Sequence, residues 1–216
     1  MFTYREKLLQ NDKWGLKCPF LMTPQFIVVH NTANDASAEN EINYMQSNSG
    51  ETSFHYAVDD KEVIKGIPEY RNAFHAGDGM YGEGNRKGLS VEICYSKSGG
   101  EKFAVAEENA AEFIADLLIL YGWDITKVRK HQDFSGKYCP HRTLDLGWER
   151  FLRMIQKYLD EKNPKLVDAD EITWELNHSH FPIADFDGFI SALDKAKKED
   201  SPLYWGYYKL ANRIKE

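Results

Sequence analysis

The hydrophobic positions along the chain follow two periods, and the alternation between them sets the fold class. FIVVH, from Phe26 to His30, stays apolar until its last residue, the pattern of a strand buried on both sides. FHYAV, from Phe54 to Val58, and EVIKGI, from Glu62, are separated by Asp59, Asp60 and Lys61, which predicts a β-hairpin. GLSVEIC, from Gly88 to Cys94, predicts a fourth strand with Leu89, Val91 and Ile93 on one face and Ser90, Glu92 and Cys94 on the other. Elsewhere the period is helical. Ala110, Phe113, Ile114, Leu117, Leu118 and Tyr121 share one helical face, and Gly122 stands where a C-cap belongs. Trp148, Phe151, Leu152, Ile155 and Leu159 predict another helix, and a weaker one is expected after an Asn34-Asp35 cap, turning Ile42 and Met45 inward. Strands interleaved with helices predict an α/β fold with a central sheet flanked by helices.

A polar stretch with a helix-ending proline, Glu161 to Lys165, divides the chain into an expected first domain over residues 1–161 and a small helical module over 162–216. Three short helices are expected in the module: one opening at Asp168 with Glu171 in capping-box spacing, one around Phe189, Ile190 and Leu193, and one opening at Ser201-Pro202. Its 8 aromatic residues in 55 leave two readings open, packing of those helices or flat faces for a ligand.

Composition narrows the partners. With 216 residues, 42% hydrophobic and 28% charged, the chain is an ordinary globular sequence. Its formal charge of -7 has the wrong sign for a nucleic-acid backbone, so no nucleic acid is expected. The greasiest window, from Ala110, is broken by Glu112 and Asp116 and is shorter than the ~18 apolar residues a membrane span needs, so no insertion is expected. Arg5, Glu6 and Lys7 with no apolar core behind them do not read as a secretory signal, and synthesis in the cytoplasm is the expectation. Three cysteines, Cys18, Cys94 and Cys139, cannot form the framework of a disulfide-rich domain, and Cys94 reads as a small buried hydrophobe.

Three groups carry candidate metal chemistry. His30 ends a strand, and His131 and Cys139 stand eight residues apart in KHQDFSGKYCPHR, a loop spacing. Two imidazoles and a thiolate suit zinc, and three protein ligands with a fourth position open is the catalytic arrangement. The competing chemistry is a Cys139 nucleophile with a histidine base. Pro140 directly after it does not suit the helix N-terminus that commonly activates a thiolate. Glu92 places a charge inside an apolar run, which is costly unless the carboxylate has a partner or a role beside one.

Five ordered stretches, FIVVHNTA, SFHYAVDD, AFHAGDG, GNRKGLSVEICYS and VRKHQDFSGKYCPHR, together resemble the zinc-dependent type 2 N-acetylmuramoyl-L-alanine amidases, relatives of the peptidoglycan recognition proteins. The resemblance implies a mixed, twisted sheet flanked by helices with a groove over one zinc ion held by His30, His131 and Cys139. The implied reaction is hydrolysis of the amide joining the lactyl group of N-acetylmuramic acid to L-alanine of the peptidoglycan stem. Glu92 then carries the proton from the attacking water to the leaving amine, and Lys137 stabilises the oxyanion. His75 is a candidate substrate contact with a structural hydrogen bond as its alternative. Phe54, where some relatives carry Tyr, and Asn85, which also reads as a turn residue, are further candidate contacts. His55 is expected to be a packed polar group, His141 to stand outside the ligand set, and His178 and His180 to lie in a loop.

The same resemblance implies a phage endolysin, made in the host cytoplasm and released onto a Gram-positive wall through holin-made lesions, with a bacterial autolysin as the alternative. Residues 162–216 become a module for peptidoglycan or a secondary wall polymer, with dimerisation as the other reading. A non-catalytic peptidoglycan-binding module of the same fold is the third functional reading, although relatives of that kind typically lack the metal-binding cysteine.

Overall fold

The structure, a computed structural model, describes residues 2–162. The three helices expected beyond them, with His178 and His180, lie outside the described residues. Six strands form one sheet: β1 (Thr3–Glu6), β2 (Phe26–Asn31), β3 (Tyr56–Val58), β4 (Glu62–Lys65), β5 (Gly88–Ile93) and β6 (Val128–Lys130), in the spatial order β1-β4-β3-β5-β2-β6. The helices are α1 (Trp14–Lys17), α2 (Ala38–Ser47), α3 (Glu83–Lys87), α4 (Gly100–Tyr121), α5 (Gln132–Ser135), α6 (His141–Leu146) and α7 (Trp148–Lys162). β2 runs parallel to β5 and β6, β3 parallel to β5, β4 parallel to β1, and only the β3–β4 hairpin is antiparallel. The sheet is therefore mixed, as expected.

All six residues of β2 are buried, which is why its sequence shows no polar face until His30. The hairpin turn is held by Asp59, whose Oδ1 accepts the amides of Lys61 and Glu62 at 2.8 and 2.9 Å. Its other oxygen accepts the amide of Ala38 at 2.9 Å and ties the turn to the start of α2. On β5, Val91 stands beside Tyr56 of β3, whose ring packs 4.8 Å from Phe113 of α4. The Leu89, Val91 and Ile93 face is thus covered by α4, with α7 packed on α4 through Phe151, Ile155 and Leu159. The opposite face, carrying Ser90 and Glu92, meets α2. There Ile42 and Met45 are buried as their spacing predicted.

The structure corrects the sequence reading in four places. β1 and β6 were not foreseen. They are the two edge strands, three or four residues long, and β1 is exposed throughout, so neither carries an apolar signal. α2 is capped by Ser37, whose Oγ accepts the amide of Asn40 at 3.3 Å, not by the Asn34-Asp35 pair. Asn34 instead accepts the amide of Ala36, and Asp35 accepts from Ser98. α4 begins ten residues before Ala110, at Gly100, and its first turns bury Phe103, Ala106 and Glu107. A buried glutamate breaks the apolar stripe in the sequence, and Arg150 of α7 neutralises it at 2.6 Å. The α4 terminus is as read. Gly122 adopts φ 64°, ψ 34°, and the amides of Gly122 and Trp123 return to the carbonyls of Ile119 and Leu118 at 3.2 and 2.8 Å, a Schellman closure. Among the described residues no helix is long and apolar enough to cross a membrane.

Candidate active site

The site forms where three parallel strands end together. His30 is the penultimate residue of β2, Glu92 stands directly beside it on β5, and His131 follows the last residue of β6. Cys139 arrives from the loop after α5, ahead of a cis Cys139-Pro140 peptide and α6. Parallel packing thus converts positions 30, 92, 131 and 139 into neighbours at one edge.

His30 Nδ1 lies 3.0 Å from His131 Nδ1 and 3.9 Å from Cys139 Sγ, and the ligand atoms of the three residues all fall within 4.8 Å of one another. A tetrahedral ion with metal–nitrogen and metal–sulfur distances of about 2.1 and 2.3 Å needs ligand separations of about 3.4 to 3.7 Å, so the trio fits a zinc-sized ion with small adjustments. All three are buried. Burial, together with the neighbouring imidazoles and Lys137, holds His30 well below the usual histidine range, and burial with Lys137 lowers His131 too. Both imidazoles are therefore neutral and able to donate a lone pair. Burial and the nearby Glu92 push the Cys139 thiol up to about 11, against the opposing Asn31 backbone amide and Lys137. That thiol is protonated at neutral pH until a cation displaces its proton.

Glu92 Oε1 is 3.9 Å from His30 Nδ1, and its side chain is 16% exposed. Burial, with the Glu41 carboxylate adding to it and Lys137 opposing, raises Glu92 to about 8. Glu92, the three metal-binding candidates, Lys137, Phe54 and His75 line one cavity of about 840 Å³, whose far wall is the Glu41 and Tyr44 side of α2. A second cavity of about 530 Å³, walled by Phe74, Met80 and Ser135, shares His75, His131 and Lys137 with the first. Lys137 is exposed and faces both, on the loop that follows the left-handed Gly136.

The other candidates divide. His75 Nδ1 stands 3.0 Å from His30 Nε2. With His30 Nδ1 turned to the metal position, the His30 proton sits on Nε2 and donates to His75, fixing the tautomer and the ring. This is the hydrogen-bonding alternative, although His75 also lines both cavities. Asn85 is 3% exposed and occupied. Its Oδ1 accepts the amides of His75 and Ala76 at 2.7 and 2.8 Å, and its Nδ2 donates to the Gly79 carbonyl at 3.0 Å, so it braces the loop that carries His75. Phe54 lines the cavity wall with 7% exposure. His55 is packed, bonded to Ser90 Oγ at 3.0 Å and to the Arg71 carbonyl at 2.9 Å, and His141 faces the Ser96 carbonyl away from the trio. Sequence reasoning missed Glu41 in the cavity wall and Asn31 behind the metal-binding candidates. Glu41 had only its place before Ile42 as a signal, and Asn31 only its adjacency to His30.

The segment that builds the site matches known proteins. A family model described as N-acetylmuramoyl-L-alanine amidase matches residues 21–142, a span that holds all three metal-binding candidates, Glu92 and Lys137. The N-acetylmuramoyl-L-alanine amidase CwlA of Bacillus subtilis (strain 168) is 61% identical over 161 residues, covering 74% of this chain and 59% of that relative. XlyB of the same organism, also an N-acetylmuramoyl-L-alanine amidase, is 57% identical over 157 residues, covering 72% and 50%. The chain therefore spans about half the length of the curated relatives it matches. The solved structure of PlyL superimposes with a TM-score of 0.69 at 54% identity, covering 72% of this chain and 97% of that one.

Proposed function

The chain belongs to the N-acetylmuramoyl-L-alanine amidase family, and from that premise we propose that it hydrolyses the amide between N-acetylmuramic acid and the L-alanine of the peptidoglycan stem, with zinc bound by His30, His131 and Cys139. The observation that carries the reading is the meeting of these three groups with Glu92 in one cavity, inside the segment that matches the family. When bound, zinc supplies Lewis acidity, lowering the pKa of a water from ~15.7 toward about 7 and polarising a carbonyl. The chain's own residues do the rest. Glu92 takes the proton from the attacking water and delivers it to the alanine nitrogen as the C–N bond breaks. The products are a lactyl carboxylate and a free amine, so one water is consumed and no redox partner is required. Burial raises the proton affinity of Glu92 above that of an ordinary carboxylate, which suits a residue that must accept a proton from water and then return it. Lys137 brings a cation to the cavity where the tetrahedral oxygen develops charge. His75 holds the His30 ring.

A nucleophilic Cys139 would need an accessible thiolate. Its 4% exposure and raised pKa are the reverse. Release of new N-terminal alanine and of reducing sugar ends from purified Gram-positive peptidoglycan tests the proposal. Alanine termini without reducing ends, lost on chelation and restored by Zn²⁺, are expected. Chelator-resistant cleavage would favour the cysteine reading, and wall sedimentation without either product would favour the binding module.

The proposal extends to the endolysin route and to residues 162–216. The Bacillus relatives support a Gram-positive wall as the target. The proposed route to it is accumulation in the host cytoplasm and holin-mediated release. The aromatic residues beyond 162 support a wall-binding module with a boundary near 161–162. Deleting residues 163–216 should weaken wall sedimentation and leave cleavage of soluble muropeptides in place, whereas unchanged sedimentation removes the targeting role.

A further inference from the structure

Asn31 ends β2, one residue beyond His30, and is 6% exposed. Successive strand residues point to opposite faces, so its side chain reaches elements that His30 does not. Oδ1 accepts the backbone amides of Arg142 and Thr143 at 2.9 and 3.2 Å, while Nδ2 donates to Thr143 Oγ1 at 3.3 Å and to the His30 carbonyl at 3.2 Å. Arg142 and Thr143 lie in the first turn of α6, where helix amides have no partner within the helix. The residue at the cap position is Pro140, whose side chain accepts no hydrogen bond, and α6 has no side-chain cap of its own. The cap is supplied from β2, more than a hundred residues earlier in the chain.

Cys139 and Pro140 sit directly before that capped turn, and Cys139 has to reach a position fixed by His30. One side chain therefore joins the strand carrying one metal-binding candidate to the helix start carrying another. We propose that Asn31 is a positioning residue for the metal site: its carboxamide oxygen sets the distance between Cys139 Sγ and His30 Nδ1, 3.9 Å in the structure. This rests on the metal-binding reading of the trio. A loop anchored only at its own ends could swing the thiol away from the imidazoles. With both amides of α6 held on β2, the sulfur is preset before any cation arrives, and less ordering accompanies binding.

The test uses the full chain and cobalt(II) alone as the probe, read by its ligand-field bands and the near-ultraviolet thiolate-to-cobalt absorption. The unsubstituted chain is expected to give both. Asn31→Ala should weaken Co²⁺ binding by about 10- to 100-fold, the range for lost partners of metal ligands, and diminish the thiolate band first. Asn31→Asp keeps an oxygen acceptor for both amides while losing the Nδ2 donor to the His30 carbonyl, and should fall between the unsubstituted chain and Asn31→Ala, because the capping interaction survives. Unaltered affinity and thiolate absorption in Asn31→Ala would overturn the proposal. So would an Asn31→Asp chain that loses as much as Asn31→Ala, and this second comparison decides the matter if Asn31→Ala does not fold. A folded unsubstituted chain that binds no Co²⁺ would instead remove the metal reading itself, and the positioning role with it.

Discussion

The two faces of strands β2 and β5 make opposite use of the same backbone. On one face, Ile27, Val29, Leu89, Val91 and Ile93 are fully buried and belong to a single apolar core with Ile114 and Leu118 of α4. On the other, His30, Ser90 and Glu92 are largely or wholly buried too, yet each is polar and has a specific neighbour: His75, His55 and His30 respectively. Burial of apolar groups is non-directional, so the first face tolerates exchange of shape within limits. Burial of polar groups is conditional on exact partners, and an unpartnered one costs more than it contributes. The first face holds the sheet, and the second is held by it.

The largest expected effect lies on the second face. Glu92→Gln should lower turnover by about 10² to 10⁴, the span of a lost general acid–base, while metal content and melting temperature are kept. A melting temperature that falls as for a core variant would erase the distinction between the faces. The mirror experiment is Ile114→Ala, which should cost about 2–5 kcal/mol of unfolding free energy by leaving a cavity, with kcat/KM per folded molecule unchanged. Urea unfolding beside alanine-release kinetics checks both halves.

Acid should act through the polar face. Burial lowers His55 to about 4, against the Arg71 carbonyl's opposing effect, and His30 and His75 are lowered as well. The unfolded chain takes up these protons near pH 6.5 and the folded chain only well below it. Stability is therefore full above about 6.5 and falls as pH drops toward 4, by ~3 kcal/mol for His55 alone. Unfolding curves for the metal-free protein at stepped pH measure this, and a flat profile would show that the histidines are not held neutral. Metal binding should run the same way for a different reason. Cys139 must lose a proton that it otherwise keeps to about pH 11, so apparent Zn²⁺ affinity should rise about tenfold per pH unit between 6 and 8. Titration against a competing chelator gives the slope.

The smallest effect returns to the apolar side. Gly122 closes α4 at φ 64° with open space where a Cβ would stand, so Gly122→Ala should cost only ~1 kcal/mol, from backbone conformation alone. Thermal unfolding detects that loss, and activity should not move.

Legibility followed the same division. The apolar face was readable because burial leaves a period: FIVVH and the alternation in GLSVEIC became β2 and β5 within a residue or two, and the stripe from Ala110 to Tyr121 became the C-terminal part of α4. It failed where the pattern was interrupted by a partnered charge, as at Glu107, or where edge strands were too short or too exposed to carry any pattern, as in β1 and β6. The trio of candidate metal-binding groups was readable because histidine and cysteine are few, and the ordered motifs around them resemble one family. The groups that support that trio were harder to see. His75 was one of several histidines with two readings, Asn85 one of many polar loop residues, and nothing in the text around Asn31 distinguishes it from any asparagine after a strand.

By itself the sequence determined the elements with a strong period, the chemical identity of the candidate metal-binding groups and the presence of one carboxylate in an apolar strand. These are properties of residue type and local spacing, and they survive without knowledge of what lies across the sheet. Tertiary structure alone decided that β5, β2 and β6 lie side by side, so that Glu92 stands beside His30 and His131 meets its Nδ1. It also decided that Asn31 caps a helix more than a hundred residues away. Parallel strand pairing and remote capping join groups whose separation along the chain carries no trace of their contact, because the backbone hydrogen bonds that align them are the same for every residue type.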